Sequence, residues 1–176
     1  AFAHEESNAE PKEWKGIENR NVSLAAYGSA VLGENTPFLT LPFGGEFEYL
    51  RFVAGGDFAI GGAVRVGASS VRYHRERTRE VGMALGFSAR TMFARQKIAA
   101  QRELRYFFGV AMDGAGTKHT GASTMGAEFG GRMVFGSGFH LMLSGLLAYE
   151  LHDQKGDKIV QGSGTFGALG AMGWSF

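Results

Sequence analysis

The stretch "VGMALGFSARTMF", residues 81–93, alternates with a period of two. Val81, Met83, Leu85, Phe87, Ala89 and Phe93 fall on one face, and Gly82, Gly86, Ser88 and Arg90 on the other. Strict alternation over this length is the signature of a β-strand, because successive side chains of a strand point to opposite sides of the sheet. The sizes on the two faces are informative. In a soluble sandwich or small soluble barrel the bulky apolar face turns inward and the charged face meets water. Here one face carries most of the bulky residues, whereas the other combines small residues with Arg90, and only Met92 at its end is large and apolar. That suits a strand with lipid on one side and a tightly filled polar interior on the other.

The same pattern recurs along the chain. "VSLAAYGSAVL" sets Val22, Leu24, Ala26, Gly28, Ala30 and Leu32 against Ser23, Tyr27 and Ser29. "LPFGGEFEYLRF" sets Phe43, Phe47 and Tyr49 against Glu46 and Glu48. In "FAIGGAVRVGAS", Phe58, Ile60, Val64 and Val66 oppose Arg65 and Ser69. "LRYFFGVAMDG" opposes Leu104, Tyr106, Phe108, Val110 and Met112 to Arg105, Gly109 and Asp113. "MGAEFGGRMVF" opposes Met125, Phe129, Met133 and Phe135 to Glu128 and Arg132. "FHLMLSGLLAYELH" opposes Phe139, Leu141, Leu143, Leu147, Tyr149 and Leu151 to His140, Ser144, Glu150 and His152. The terminal "TFGALGAMGWSF" lines up Phe166, Ala168, Met172, Trp174 and Phe176. These are eight strands of about 11 to 15 residues, against about five or six for an ordinary soluble strand and about 9–11 for one crossing a bilayer at a tilt.

The connectors alternate as well. "AGGD" (Ala54 to Asp57) and "GSG" (Gly136 to Gly138) are short, whereas "GENTP", "HRERTRE", "GAGTKHTG" and "DQKGDK" are polar and longer. "ARQKIAAQ", after Phe93, occupies a short-turn position yet is longer than expected there. The expected architecture is all-β, an eight-stranded antiparallel up-and-down transmembrane β-barrel over residues 22–176. A polar N-terminal extension over residues 1–21 precedes it, with Trp14 at the membrane interface.

Composition agrees with curved, closely packed sheet. Glycine accounts for 28 of 176 residues and proline for 3, and glycine permits bends and close backbone approach. The charges balance to +1, which suggests no nucleic-acid partner. There is no cysteine, so disulfides and thiolate metal sites are excluded. The most apolar segments carry interior glycines at roughly 1 kcal/mol of helix propensity each, so neither is a good spanning helix. "AFA" at Ala1 to Ala3 has the small-x-small form left by a cleaved export signal.

On these residues the chain resembles the small eight-stranded outer-membrane barrels of Gram-negative bacteria, the OmpA transmembrane-domain and OmpX class. The resemblance covers Val22 to Phe176. It is most specific at the end, where that class closes on a strand with alternate apolar residues and a terminal aromatic read by the barrel-assembly machinery. Trp174 and Phe176 occupy those positions. The resemblance implies a bacterial outer-membrane protein and a monomer, with both termini and the short turns periplasmic. Outer-membrane lipid and lipopolysaccharide would surround it.

Candidate functional residues fall into three sets. Glu46, Glu48, Arg65, Arg90, Arg105, Asp113, Glu128, Arg132 and Glu150 share the inward face, five acids against four bases. Near-balance favours a salt-bridge network that plugs the lumen over an ion path, because buried charges need partners. "VRYHRERTREV" (residues 71–81) concentrates Arg72, Arg75, Arg77 and Arg79 at one connector. Arginine suits bidentate contact with the phosphates of lipopolysaccharide. The third set would be catalytic. His140 and Ser144 share a face, but four residues along a strand is roughly 13 Å. His119 and Ser123 could approach one another near Asp113 or Glu128, yet no recognisable hydrolase pairing is present. The histidines are scattered, and no metal or cofactor is expected. The favoured reading is a non-enzymatic barrel serving envelope integrity or surface and lipopolysaccharide interaction. The alternatives are a small OmpW-like channel or carrier, or a lipid A-modifying enzyme.

Overall fold

A computed structural model describes residues 20–33, 38–53, 58–73, 79–99, 101–118, 120–154 and 157–176. They form eight strands: β1 Arg20–Gly33, β2 Phe38–Val53, β3 Phe58–Tyr73, β4 Arg79–Ala99, β5 Arg102–Gly116, β6 Thr120–Phe135, β7 Phe139–Gln154 and β8 Asp157–Ser175. Each strand pairs antiparallel with its sequence neighbour, and β1 pairs with β8 to close a barrel. No helix among the described residues is long and apolar enough to cross a membrane. That says nothing against crossing by strands.

Rung by rung from Leu50 through Gly61, Arg90, Gly109, Glu128, Leu146, Gly167 and Val31, the ladder returns to β2 at Thr40, ten residues from its start. Across eight strands, a stagger of that size tilts them by roughly 40° to the barrel axis. A barrel this narrow bends its sheet sharply, so inward positions crowd. Gly44 and Gly67 face each other across the β2–β3 ladder. A Cβ on either would collide with the other strand's backbone at Val66 or Phe43. At the β6–β7 turn Gly138 has φ +82°, a left-handed conformation that glycine adopts without strain.

The exterior is apolar. Met83, Leu85 and Phe87 of the stretch that opened the sequence reading are 77%, 48% and 50% exposed, while Ser88 and Arg90 are buried. Leu24, Phe43, Val110, Met125, Leu143, Leu147 and Phe166 continue the exposed belt on the other strands. At the terminus-bearing end Phe139 meets Phe135 in a tilted contact and Trp174 edge to face, at ring separations of 5.7 and 5.2 Å. Aromatic girdles of this kind edge the apolar band of membrane barrels.

The strands run longer than the alternation suggested, from 14 to 21 residues, and take in much of the expected connectors. The largest difference is "ARQKIAAQ". Most of it prolongs β4 against β5, with register irregularities between Phe93 and Arg95 and between Lys97 and Ala99. Those bulges break the period of two, which is why the segment does not read as strand. β1 begins at Arg20, two residues before Val22. The N-terminal extension through residue 19 lies outside the described residues.

Candidate functional site

Inside the barrel, charge gathers around Arg90 on β4. Its rung partners on the two adjacent strands are Gly61 and Gly109. The absence of side chains on both sides leaves room for the guanidinium. All five of its N–H donors are used. Nε donates to Glu128 Oε2 at 3.1 Å, Nη1 to Glu46 Oε1 at 2.9 Å and Glu48 Oε2 at 2.7 Å, and Nη2 to Glu46 Oε2 and Glu128 Oε1, both at 2.9 Å. The Phe107 ring lies 5.3 Å from the guanidinium carbon. Glu46, Glu48, Arg90 and Glu128 are each no more than 2% exposed.

Three carboxylates around one cation leave excess negative charge, and further arginines address it. Arg132 Nη1 lies 2.5 Å from Glu48 Oε1. Arg65 Nε lies 3.4 Å from Asp113 Oδ1 and 3.9 Å from Glu46 Oε2. Hydroxyls fill remaining acceptor positions, with Ser144 donating to Glu128 at 3.0 Å and Ser23 to Glu48 at 3.4 Å. Glycine again makes the space. Gly86 is the rung partner of both Arg65 and Asp113, and a Cβ there would meet both side chains.

The lumen differs between its two halves. Toward the termini it is filled by Leu50, Met92, Phe107, Arg132, Val134 and His140, each at most 1–2% exposed. There Arg105 pairs with Glu103 and lies 4.4 Å over the Phe52 ring. Toward the other end the inward positions are mostly small, among them Gly67, Gly82, Ala84, Ala115 and Ala122.

All nine residues expected on the inward face are there, eight of them buried and Asp113 half-buried. The network through Arg90 joins Glu46, Glu48, Glu128 and Arg132, and Arg65 links it to Asp113. Arg105 belongs to a separate pair nearer the termini, and Glu150 is buried on β7 toward the other end. Glu103 was missed. It precedes the stretch read as strand, although Glu103, Arg105 and Phe107 continue a single alternation. Leu50 and Phe52 extend the Glu46–Glu48 face by the same rule.

Of the second set, Arg75 and Arg77 lie outside the described residues. Arg72 and Arg79 are backbone partners across β3 and β4. Of the third, His119 lies outside the described residues. Ser144 turns to Glu128, and His140 Nδ1 lies instead 3.1 Å from Ser175 Oγ on β8. Both members of that pair are buried, at 1% and 8% exposure. No group of three or more metal-ligating side chains occurs among the described residues. At the C-terminus Trp174 and Phe176 are 53% and 74% exposed. The backbone of Phe176 exchanges hydrogen bonds with Val22 at 2.8 and 3.2 Å, so the final residue is tied to β1.

No protein-family model matches the chain, and no curated protein matches it. Among solved structures, it is similar to Ail, the attachment invasion locus protein of Yersinia pestis, at 16% identity and a TM-score of 0.46. The match covers 91% of this chain and 100% of Ail. A structure of Ail in complex with the heparin analogue sucrose octasulfate gives 16% identity, the same coverages and a TM-score of 0.47. Neisserial surface protein A is 8% identical, with 89% of this chain and 97% of that one covered, at a TM-score of 0.46. The fold assignment rests on the chain's own register and on the distribution of charge and apolar surface across it. By both, this chain is a closed eight-stranded β-barrel of the membrane-spanning kind, with the fold of the small outer-membrane barrels.

Proposed function

We propose that this chain is a non-enzymatic integral outer-membrane barrel whose lumen is plugged, and that it contributes to envelope integrity and to contact with lipopolysaccharide. The observation that carries this reading is the saturated Arg90 guanidinium, held by three buried carboxylates. A hydrated ion crossing the lumen would have to displace charge-assisted hydrogen bonds, each roughly twice as strong as a neutral one. Both termini and the short turns face the periplasm, and the longer connectors face outward. Trp174 and Phe176 serve as the signal read by the barrel-assembly machinery, and the barrel is a monomer.

Purified protein in planar bilayers is expected to give no unit conductance at 1 M salt. Sustained single-channel steps from the unaltered chain would replace the plug with the channel reading. Mass spectra of lipid A from cells with and without the protein are expected to be identical. Contact with lipopolysaccharide is supported by the arginines that the sequence concentrates at positions 72, 75, 77 and 79. Arg75→Gln, Arg77→Gln and Arg79→Gln together should lower the lipopolysaccharide retained through purification severalfold.

A further inference from the structure

The outer wall of the barrel has a groove where a continuous apolar belt is expected. It lies across β5 and β6, in the half away from the termini, and holds about 600 Å³. Met83 and Leu85 of β4 form one bank and Leu151 of β7 the other; Gly114, Gly121 and Ser123 belong to the floor. The banks stand in the membrane belt, with Met83 77% and Leu151 44% exposed.

Barrel curvature does not account for these floor glycines. Inward glycines such as Gly44, Gly67 and Gly126 face backbone that a Cβ would strike. At Gly121 a Cβ would meet nothing within 4 Å, and at Gly114 only the Leu85 carbonyl oxygen at 3.8 Å, an ordinary contact. Here glycine leaves out side chains that would fit, and so lowers the wall between the two banks. The sequence beyond the end of the groove away from the termini is basic. Exposed Lys118 lies two residues past β5, and the β4 row that supplies Leu85 and Met83 leads along the strand to position 79, whose backbone pairs with position 72, both arginine in the sequence.

We propose that this groove seats one acyl chain of lipopolysaccharide, whose lipid A phosphates meet the cationic end. Apolar walls at the depth of lipid tails, a floor lowered to backbone and positive charge at the headgroup end match an anionic lipid and no water-soluble ligand. The proposal rests on the outward orientation and the lipopolysaccharide contact inferred above, and adds to them a specific seat.

The test fills the groove. Gly121→Leu with Gly114→Val is expected to fold, because a Cβ at Gly121 meets nothing within 4 Å and one at Gly114 makes only an ordinary contact; a heat-modifiable gel shift checks folding. The barrel is incorporated into phosphatidylcholine nanodiscs containing equal small amounts of lipid A and phosphatidylglycerol, and bound lipid is read by native mass spectrometry. The unaltered chain should retain lipid A at least fivefold over phosphatidylglycerol, and the filled variant should lose most of that preference. Equal retention by the two chains would overturn the groove as the seat. So would equal retention of phosphatidylglycerol, or a shift from dimer to monomer on filling with lipid unchanged, which would assign the groove to a second copy. Should the filled variant not fold, crosslinking from a diazirine-bearing lipid A to the unaltered chain decides: label on β5 and β6 supports the seat, and label spread evenly over all strands overturns it. The arginine triple variant separates the two readings. Loss of lipid A there but not on groove filling retains the lipopolysaccharide contact and removes the seat, whereas no loss in either variant removes both.

Discussion

A guanidinium with all five donors engaged is fixed in orientation as well as in charge, and Arg90 fixes Glu46, Glu48 and Glu128 with it. Removing one partner of a buried ion pair costs about 3–5 kcal/mol, because the charge left behind has no compensation. Arg90→Met leaves three carboxylates facing one another, so a loss at or above that range is expected in urea-induced unfolding from detergent micelles. The restoring change follows from the same geometry. Arg90→Met with Glu46→Gln and Glu128→Gln removes the stranded charges, and should recover at least half of the lost stability. A triple variant no better than the single one would mean that the network is not coupled through charge.

At the scale of the strand, glycine takes two opposite roles that composition alone cannot separate. Gly67→Val places a branched side chain against the Phe43 carbonyl and should prevent folding, read as loss of the heat-modifiable gel shift. A Cβ added at Gly28 meets nothing within 4 Å, so Gly28→Val should fold with unchanged mobility. The alternation of residues 81–93 shows which glycines point inward, and the inward charge set was legible from it. Which inward residues touch was not. The pairing of Arg90 with Glu46, Glu48 and Glu128 depends on the ten-residue stagger, a property of closure around all eight strands. The Ser175 partner of His140 was hidden for a more local reason, since it depends on the register of the β7–β8 pair. Glu103 was missed because the stretch read as strand began one residue later, at Leu104, although the alternation already takes it in.

For the whole molecule, the solvent on each side of the sheet decides which substitutions are tolerated. Arginine is buried inside at Arg65, Arg90, Arg105 and Arg132, yet an arginine one residue away along a strand would point into hydrocarbon. Leu143 on β7 is 69% exposed, and its neighbour Ser144 is 4% exposed and bonded to Glu128. Arginine at the midplane of a membrane barrel costs about 2–4 kcal/mol, falling to about 0–1 near the interface. Leu143→Arg should therefore lower stability in phospholipid vesicles by about 2–4 kcal/mol. Ile98→Arg, in the end of β4 that already carries the exposed Lys97, should cost under about 1 kcal/mol. Folding titrations of the two variants against the unaltered chain measure the difference directly. Equal costs at the two depths would mean that the exposed apolar belt does not face a bilayer, whereas the expected gradient reports the depth of each residue in it.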